Sequence, residues 1–473
     1  MLTDDLSMDL LRYMPQVRAL QRRGLTFQDY FVSDSLCCPS RASIFTGDFP
    51  HDTHIYTNGP PEGGFGAFHA NGDEHRSFNI ALQHAGYLTA MMGKYLNRYL
   101  YERGVPRTYV PPGWDTWDVA GWGYPEYNYG LNHDGTVLHY GHRPSDYLTD
   151  VLTRYGVQFI NRAAGADRPF FLELATFAPH TPYTPAPQYE RAFPHVKAPR
   201  PLNFDVLPSF APRWLADHPP LTPGQQAQIN QAFRKRVQDV QSIDDMIGRI
   251  QAALTAHHLL DDTYIVFSSD NGLHMGEYRL MPGKLTAFDT DIHVPLVIAG
   301  PGIPAGSTTN AIAENTDLAK TFTGLAGTTM SGDGHTLIPL LHDGQPAGWR
   351  DAALVEHKGP TSGASNPDLQ THITGNPPSY DAIRTKDLLY VEYRNSQREL
   401  YDLKTDPYEL HNVIADVSQA TSIVLHDELT VLENCHNGPD CWKAEHVNTL
   451  EVNLVQRRVR HHRRKRHPRI AKR

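Results

Sequence analysis

The hydrophobic residues of this chain fall into short runs separated by a longer helical pattern. Residues 168–185, 262–277 and 294–306 each contain a run of apolar, β-branched or aromatic residues, which predicts a buried strand. Each run ends in polar residues or turns. From Ile229 to Leu254, apolar residues recur at three- and four-residue spacing, the periodicity of one helix face. Strands that alternate with helices predict an α/β fold with a mostly parallel sheet.

Polar side chains stand where two of these predicted strands end. The first run closes on Ala178, Pro179 and His180, and the second on Asp270 and Asn271. In open α/β sheets, active sites lie beyond the carboxyl ends of the strands. The pattern therefore predicts an enzyme whose site includes these residues.

The remainder of the chain divides into a loop-rich stretch and a smaller unit. A proline-rich segment over 179–223 predicts an extended wrapping loop. Beyond about residue 345, short strand patterns and turns precede a helical pattern over 417–433, which predicts a small α+β domain. We therefore expect a main domain over 1–345 with a truncated first strand, a C-terminal domain over 346–445 and a tail over 446–473.

Composition and charge narrow the class of protein. The 473 residues are 40% hydrophobic and 20% charged, which is typical of a soluble globular protein. No apolar run approaches 18 residues, so no membrane span is predicted. The formal net charge is −9, but residues 457–473 carry ten Lys/Arg and no acid. Such a run of like charge predicts a solvated, disordered tail, and we expect no nucleic-acid partner.

Two cysteines near the C-terminus bear on the cellular compartment. Cys435 and Cys441 enclose a short polar loop and are candidates for a disulfide, whereas a zinc site lacks a second Cys/His pair at ligand spacing. A disulfide indicates an oxidising compartment. The first residues, however, lack the basic and apolar regions of a signal peptide. The expected location is therefore cytoplasmic for the chain as written, and secreted, periplasmic or extracellular if its N-terminus is truncated.

The adjacent pair Cys37 and Cys38 begins the segment CCPSRASIFTG. Pro39 at a first helical position and Gly47 past the end predict a short helix over 39–46, with Cys37 at its N-terminus. Backbone N–H groups and the helix dipole favour an anion there, and Arg41, one turn further on, can reach the same place. Two other interpretations remain at this point: small buried hydrophobic residues, or a thiol nucleophile whose pKa falls at the helix N-terminus.

The same segment resembles the signature of the sulfatase family, Cys-x-Pro-Ser-Arg-x4-Thr-Gly, and the resemblance extends over most of residues 4–415. It implies an alkaline-phosphatase-like α/β sandwich, with a large, mostly parallel central sheet flanked by helices and a small α+β C-terminal domain. It also implies that a formylglycine-generating enzyme oxidises Cys37 to Cα-formylglycine. The hydrated aldehyde would then be the nucleophile of a covalent, two-step reaction.

The resemblance assigns further residues to a metal site and to a sulfate site. One divalent cation, Ca²⁺ with Mg²⁺ as the alternative, is expected to bind oxygen ligands, which suit hard cations. Its implied ligands are Asp4, Asp5, Cys37, Asp270 and Asn271. Four basic residues are implied to position sulfate and transfer protons: Arg41, Lys94, His180 and Lys284. Taken singly, such acidic pairs are commonly helix caps or turns, and such lysines are commonly solvated.

Two features depart from the common family pattern. Leu96 stands where many sulfatases have a histidine, so His180 or a lysine is expected to protonate the leaving alcohol. The run KYLN resembles the branch that acts on N-acetylglucosamine-6-sulfate, and His274 is a further candidate for substrate contact. In addition, only Met1 to Thr3 precede Asp4, where relatives carry an apolar strand. Either the chain starts further upstream or the first strand is lost from the centre of the sheet.

The expected function is hydrolysis of sulfate esters with release of inorganic sulfate. The predicted substrate is a sulfated small molecule or glycan, such as a sugar 6-sulfate or an aryl sulfate. Two alternatives remain open from the sequence. One is a phosphate or phosphonate ester hydrolase on the same scaffold, because phosphate and sulfate are both tetrahedral anions. The other is an inactive, truncated relative.

Overall fold

The computed structural model describes residues 1–342, 344–361 and 368–447. Beyond residue 447, the predicted basic tail lies outside these ranges. The strands of the main domain are β1 (Leu2–Thr3), β2 (Leu25–Phe27), β3 (Tyr30–Phe31), β4 (Leu88–Lys94), β5 (Thr116–Ala120), β6 (Gly130–His133), β7 (Thr136–His139), β8 (Phe170–Ala175), β9 (Ile265–Ser269), β10 (Leu296–Ala299), β11 (Ser307–Thr309) and β12 (Ala313–Glu314).

Ten of these strands form one sheet in the order β11-β2-β10-β9-β1-β8-β4-β5-β6-β7, and β3 pairs with β12 separately. The five central strands, from β9 to β5, run parallel to one another. Antiparallel pairings join β10 to β9 and to β2 on one side, and β6 to β5 and to β7 on the other. The predicted α/β fold is confirmed, with the parallel arrangement concentrated at the centre of a mixed sheet.

Helices flank the sheet and bury two separate hydrophobic clusters. The periodic segment from Ile229 to Leu254 lies within α8, which is longer than predicted because Thr222 and Gln225 form a capping box ahead of it. The helices are α1 (Pro15–Arg23), α2 (Cys37–Thr46), α3 (Pro50–Thr53), α4 (Gly64–Asn71), α5 (Phe78–His84), α6 (Leu148–Ala163), α7 (Arg213–Ala216), α8 (Pro223–Ala256), α9 (Asp289–Ile292), α10 (Asp317–Leu325), α11 (Ile338–His342), α12 (Gln419–Leu432) and α13 (Gly438–Ala444). Within the described ranges, none of the helices combines the length and apolar character needed to cross a bilayer.

The C-terminal part is a four-stranded antiparallel sheet, packed against α12 and α13. Its strands are β13 (Ala352–His357), β14 (Tyr380–Thr385), β15 (Leu388–Tyr393) and β16 (Arg398–Asp402). Cys435 and Cys441 form a disulfide in this part, as the sequence suggested. The predicted helix over 417–433 is α12, whose N-cap is Ser418.

His51 of α3 joins the main domain to this C-terminal sheet. Its Nδ1 lies 2.9 Å from Glu356 Oε2 on β13, and its Nε2 lies 2.7 Å from the carbonyl oxygen of Cys435. Burial alone would lower the pKa of His51, but the hydrogen bond and charge of Glu356 outweigh it and raise the pKa to about 9. His51 is therefore a cation at neutral pH that holds the two parts together.

A raised pKa makes the stability from His51 dependent on pH. The contribution is present in full below the unfolded-state pKa near 6.5, and it is lost as the pH rises towards about 9. We expect His51→Gln to remove up to about 3 kcal/mol of unfolding free energy at pH 6, and much less at pH 9.5. Denaturant unfolding across this range measures the difference. The exposed His411 beside Asp406 supplies the control, and an equal loss at both pH values would contradict the assignment.

Strand β1 occupies the centre of the sheet although it has only two residues. Leu2 pairs with Ala175 near the end of β8 and with Ser268 near the end of β9. The earlier residues of both neighbouring strands line a cavity of about 590 Å³. The Met1 amino group at its edge donates to the Val266 carbonyl oxygen at 2.7 Å, and burial lowers its pKa to about 6. The first strand thus remains at the sheet centre and delivers the residues that follow it.

An extension built onto Met1 tests this description of the cavity. Five apolar, β-branched residues added before Met1 are expected to continue β1 between β8 and β9 and to bury apolar surface. We expect the unfolding free energy to rise by at least about 2 kcal/mol. Thermal unfolding compares this variant with one that carries five Gly/Ser residues. Equal melting temperatures for the two extensions would show that the cavity does not accept a strand.

Candidate active site

Four neighbouring strands bring the predicted site residues to one edge of the sheet. Asp4 and Asp5 follow β1, Lys94 ends β4, His180 lies beyond β8, and Asp270 directly follows β9. These strands are adjacent in the order β9-β1-β8-β4 and run in the same direction. Their carboxyl ends therefore converge, as expected for an α/β site.

Cys37 is the first residue of α2 and is fully buried. Its Sγ lies 2.8 Å from Lys284 Nζ and 3.2 Å from Asp4 Oδ1. The helix ends at Gly47, whose φ of 76° is the left-handed conformation that favours glycine. Burial, together with nearby carboxylates, holds the pKa of the Cys37 thiol well above its ordinary value. This environment argues against a thiolate nucleophile at neutral pH.

Three of the five residues implied to bind a metal ion, Asp4, Asp5 and Cys37, meet at one place together with His180. Ligand atoms of Asp4, Asp5, Cys37 and His180 all lie within 4.8 Å of one another. Asn271 Nδ2 lies 2.6 Å from Asp5 Oδ1, while its Oδ1 is buried without a hydrogen-bond partner in the described part of the chain. Because amide oxygen and nitrogen positions are assigned from their surroundings, a flipped Asn271 amide would direct this orphaned oxygen towards Asp5.

These side chains fit a hard divalent cation. Two carboxylates and an unpartnered amide oxygen are the ligand types that Ca²⁺ and Mg²⁺ prefer. Burial raises the pKa of Asp4 to about 6, with Lys94 opposing the shift and the neighbouring Asp270 and Asp5 adding to it. A cation among these groups would offset the repulsion between buried carboxylates. The ligand types suit either ion.

Asp270 and Arg41 form a fully buried pair behind the site. Arg41 Nε donates to Asp270 Oδ2 at 2.7 Å, and its Nη1 donates to the Lys94 carbonyl oxygen at 2.8 Å. The other oxygen, Asp270 Oδ1, accepts the backbone N–H of Asp5 at 3.2 Å. Burial favours protonation, yet Arg41 and nearby lysines outweigh it and hold the pKa of Asp270 below its usual value. Arg41 thus fixes Asp270 and the end of β4.

Three other predicted basic residues surround residue 37 directly. Lys94 Nζ donates to Asp4 Oδ2, and Lys284 Nζ donates to Asp5 Oδ1 at 2.7 Å. His180 Nδ1 lies 2.7 Å from the Thr181 carbonyl oxygen, which orients the ring and leaves Nε2 facing the site. Burial lowers the pKa of His180, but the surrounding carboxylates outweigh this and raise it. The site can therefore hold a tetrahedral anion and supply a proton.

Two residues of this site carry no signal in the sequence. Asp368 Oδ1 lies 2.5 Å from His180 Nε2 and 2.7 Å from Lys284 Nζ. Its Oδ2 accepts from Asn58 Nδ2 at 2.6 Å, and Asn58 Oδ1 accepts the backbone N–H of Cys38 at 2.9 Å. Neither residue belongs to a periodic run or a motif, so only the folded chain identifies them.

Two further positions singled out in the sequence, His274 and Leu96, make their contacts within the fold. His274 Nδ1 lies 3.0 Å from Asp291, and its Nε2 lies 3.0 Å from the Thr374 carbonyl oxygen. Both ring nitrogens are therefore used within the fold, although His274 was a candidate for substrate contact. Leu96 is buried in the hydrophobic core, and the adjacent Asn97 reaches Asp368 Oδ2 at 3.3 Å.

Comparisons with known proteins identify the family of this chain. Residues 3–328 match the family model described as Sulfatase, and residues 276–434 match the one described as N-sulphoglucosamine sulphohydrolase, C-terminal. The N-acetylglucosamine-6-sulfatase of Bos taurus is 33% identical over 444 residues, covering 88% of this chain and 79% of that protein. An arylsulfatase of Volvox carteri is 30% identical, covering 92% of this chain and 74% of that protein.

Solved structures share the fold. A protein in complex with its substrate D-glucosamine-2-N,6-O-disulfate has a TM-score of 0.74 at 23% identity, covering 91% of this chain and 95% of that one. The phosphonate monoester hydrolase of Agrobacterium radiobacter has a TM-score of 0.69 at 24% identity, covering 91% of this chain and 94% of that one. With the family match over most of the chain, the predicted alkaline-phosphatase-like fold is confirmed. The chain belongs to the sulfatase family and is a sulfuric ester hydrolase.

Proposed function

We propose that this chain hydrolyses the 6-sulfate ester of a glucosamine-type sugar, with residue 37 as Cα-formylglycine. The observation that carries the proposal is the position of Cys37 Sγ, between Lys284 Nζ and Asp4 Oδ1 at the N-terminus of α2. A nucleophilic oxygen at this position would be surrounded by positive charge and by metal-ligating carboxylates. The partner that installs the aldehyde is a formylglycine-generating enzyme.

The hydrated aldehyde explains why a cysteine-derived group is used. One hydroxyl oxygen of the geminal diol attacks sulfur, the ester S–O bond breaks, and the alcohol leaves with a proton. The second hydroxyl then loses its proton, the carbonyl re-forms, and the bond from carbon to the sulfated oxygen breaks to release sulfate. A divalent cation held by Asp4, Asp5, Asp270, Asn271 and residue 37 would lower the pKa of the attacking hydroxyl. Each step of this covalent route is easier than direct displacement by water.

Four residues of the chain have further roles in the proposed reaction. Lys94 and Lys284, both buried, supply positive charge for the sulfate oxygens, and such charge is more effective in a desolvated site than in water. His180, with its Nδ1 fixed by the Thr181 carbonyl, is the proposed donor of a proton to the leaving oxygen. Arg41 acts through Asp270 as a positioning residue.

The proposed sugar substrate is supported by the relatives and by Asp368. The curated relative from Bos taurus is named for N-acetylglucosamine 6-sulfate, and the solved protein binds a 6-O-sulfated glucosamine. Asp368 lies next to His180, where the alcohol part of the ester would leave. A sugar hydroxyl that displaces one of the present donors, such as Asn97, would find a strong acceptor in this carboxylate.

Asp368→Asn tests this role. We expect the KM for glucosamine 6-sulfate to rise by about tenfold or more, because an amide accepts a sugar hydroxyl less strongly than a carboxylate. Steady-state release of sulfate measures the change, with nitrophenyl sulfate as a substrate that lacks sugar hydroxyls. An unchanged or lower KM for the sugar sulfate would contradict the role.

Two measurements test the proposed function itself. Mass analysis of the peptide around Cys37, after expression with a formylglycine-generating enzyme, is expected to show the aldehyde. The modified, calcium-loaded protein is then compared on nitrophenyl sulfate and nitrophenyl phosphate, because a phosphonate monoester hydrolase shares this fold. Faster turnover of the phosphate ester would support the alternative function. An unmodified thiol under these conditions would support an inactive relative.

We also propose an oxidising compartment, secreted, periplasmic or extracellular, as the location of the protein. The disulfide between Cys435 and Cys441 supports this proposal, because such bonds persist mainly outside the cytoplasm. Fractionation of the source cells, with an antibody against the protein, tests it. Recovery in the cytoplasmic fraction alone would contradict it.

A further inference from the structure

An exposed aromatic surface lies beside the active site, on the loop between β5 and β6. The Trp122 side chain is 42% exposed, and its ring lies 5.2 Å from that of Tyr124. Tyr124 is buried, with its ring 4.5 Å from His180 and its hydroxyl 3.1 Å from Asn97 Nδ2. A single buried ring thus separates the exposed Trp122 from the residues around the reacting group.

The surface continues away from the site to a second exposed aromatic residue. A Cβ atom placed on Gly121 would lie 2.8 Å from the ring of Tyr101, so this loop packs directly on Tyr101. Tyr101 is 45% exposed, and the Arg107 guanidinium lies 5.4 Å from its ring. Tyr101, Arg107 and Asn128 also line a cavity of about 200 Å³. A path of aromatic and polar groups therefore leads outward from the site.

Positive charge borders this path although the chain as a whole is acidic. Residues 98–107 contain three arginines, Arg98, Arg103 and Arg107, but only one acid, Glu102. All three arginines are exposed. Arg98 Nε forms an ion pair with Glu102 Oε2 at 3.6 Å. Because Glu102 is the one acid among these residues, the segment keeps an excess of positive charge. Arginine binds sulfate and carboxylate groups through paired hydrogen bonds.

We propose that this surface is a subsite for the part of a glycan chain beyond the reacting sugar. The apolar face of the neighbouring sugar ring stacks on Trp122, and an anionic group further along the chain binds Arg107. Aromatic side chains provide large, rigid contact areas for such ligands. The inference rests on the proposed function and extends it, because the preferred substrate becomes a sulfated oligosaccharide rather than a monosaccharide.

Kinetics on two substrates test the subsite. The probes are nitrophenyl sulfate and a sulfated hexosamine tetrasaccharide from heparin. In Trp122→Ala, we expect the ratio of kcat/KM for the tetrasaccharide to kcat/KM for nitrophenyl sulfate to fall about tenfold, through a higher KM. Trp122→Phe should recover most of this ratio, and Arg107→Gln should weaken its dependence on salt. Phe210→Ala, at an aromatic residue that is 76% exposed, is the control and should leave the ratio unchanged.

A binding measurement separates failure of the subsite from failure of the proposed function. In a Cys37→Ala background, which cannot turn over, calorimetry measures the affinity for the tetrasaccharide with and without Trp122→Ala. We expect about a tenfold loss of affinity, which would support the subsite even if the wild-type protein released no sulfate. Equal affinities, or an unchanged kinetic ratio, would overturn the subsite. Absence of sulfate release from both probes would instead overturn the proposed function.

Discussion

Replacement of Cys37 by alanine is expected to abolish sulfate release, with a fall in kcat of about 10⁴-fold or more. The reason is that alanine offers no carbonyl carbon for the diol at the position beside Lys284 and Asp4. Initial rates on nitrophenyl sulfate measure the loss. Cys38 provides a matched control, since it is equally buried but packs in the hydrophobic core. Cys38→Ala should keep its turnover, with a stability cost of about 1 kcal/mol.

Cys37→Ser distinguishes a formylglycine mechanism from a simple hydroxyl nucleophile. Serine has one oxygen, so it can take up the sulfuryl group but lacks the second hydroxyl that releases it. We expect at most one alcohol product per protein molecule, with a mass gain of one SO₃ group on the peptide that contains residue 37. Repeated turnover by Cys37→Ser would contradict the two-hydroxyl mechanism.

Replacement of Lys284 by methionine is expected to lower kcat/KM for nitrophenyl sulfate by about 10³-fold. Lys284 Nζ lies 2.8 Å from Cys37 Sγ and 2.7 Å from Asp5 Oδ1, so its charge is close to both the nucleophile and the metal ligands. Methionine keeps the length of the side chain but removes the charge. Steady-state kinetics at saturating calcium measure the effect on the sulfate site.

Two comparisons keep the Lys284 prediction specific. Lys404, an exposed lysine paired with Asp387, is the control, and Lys404→Met should have near wild-type kinetics. Loss of a buried cation also leaves carboxylates without a partner, so thermal unfolding must show that the variant is folded. A folded, calcium-loaded Lys284→Met protein with undiminished kcat/KM would remove Lys284 from the sulfate site.

Much of the fold follows from patterns within short stretches of sequence. The apolar runs of β8, β9 and β10 and the periodic face of α8 reflect burial, which each stretch encodes by itself. The helix that carries Cys37 and its end at Gly47 likewise depend on local backbone preferences. The apolar periodicity does not predict the first turns of α8, because these turns are polar. Capping determines where this helix begins.

The antiparallel strand β10 shows where such patterns stop being informative. A buried run has the same composition whether its neighbours are parallel or antiparallel, so direction depends on the connections between strands. The same holds for the contact between His51 and Glu356, which joins residues 305 positions apart. Nothing near either residue in the sequence indicates the other.

By itself, the sequence determined the α/β class, the helix that presents residue 37, and the identities of the residues that follow the central strands. Those features arise from local burial patterns and from a motif within eleven consecutive positions. Only the tertiary structure decided that Asp368 and Asn58 enter the site, that Arg41 binds Asp270, and that Trp122 lies beside it. Such contacts join distant segments, and their energy depends on distances that exist only once the chain is folded.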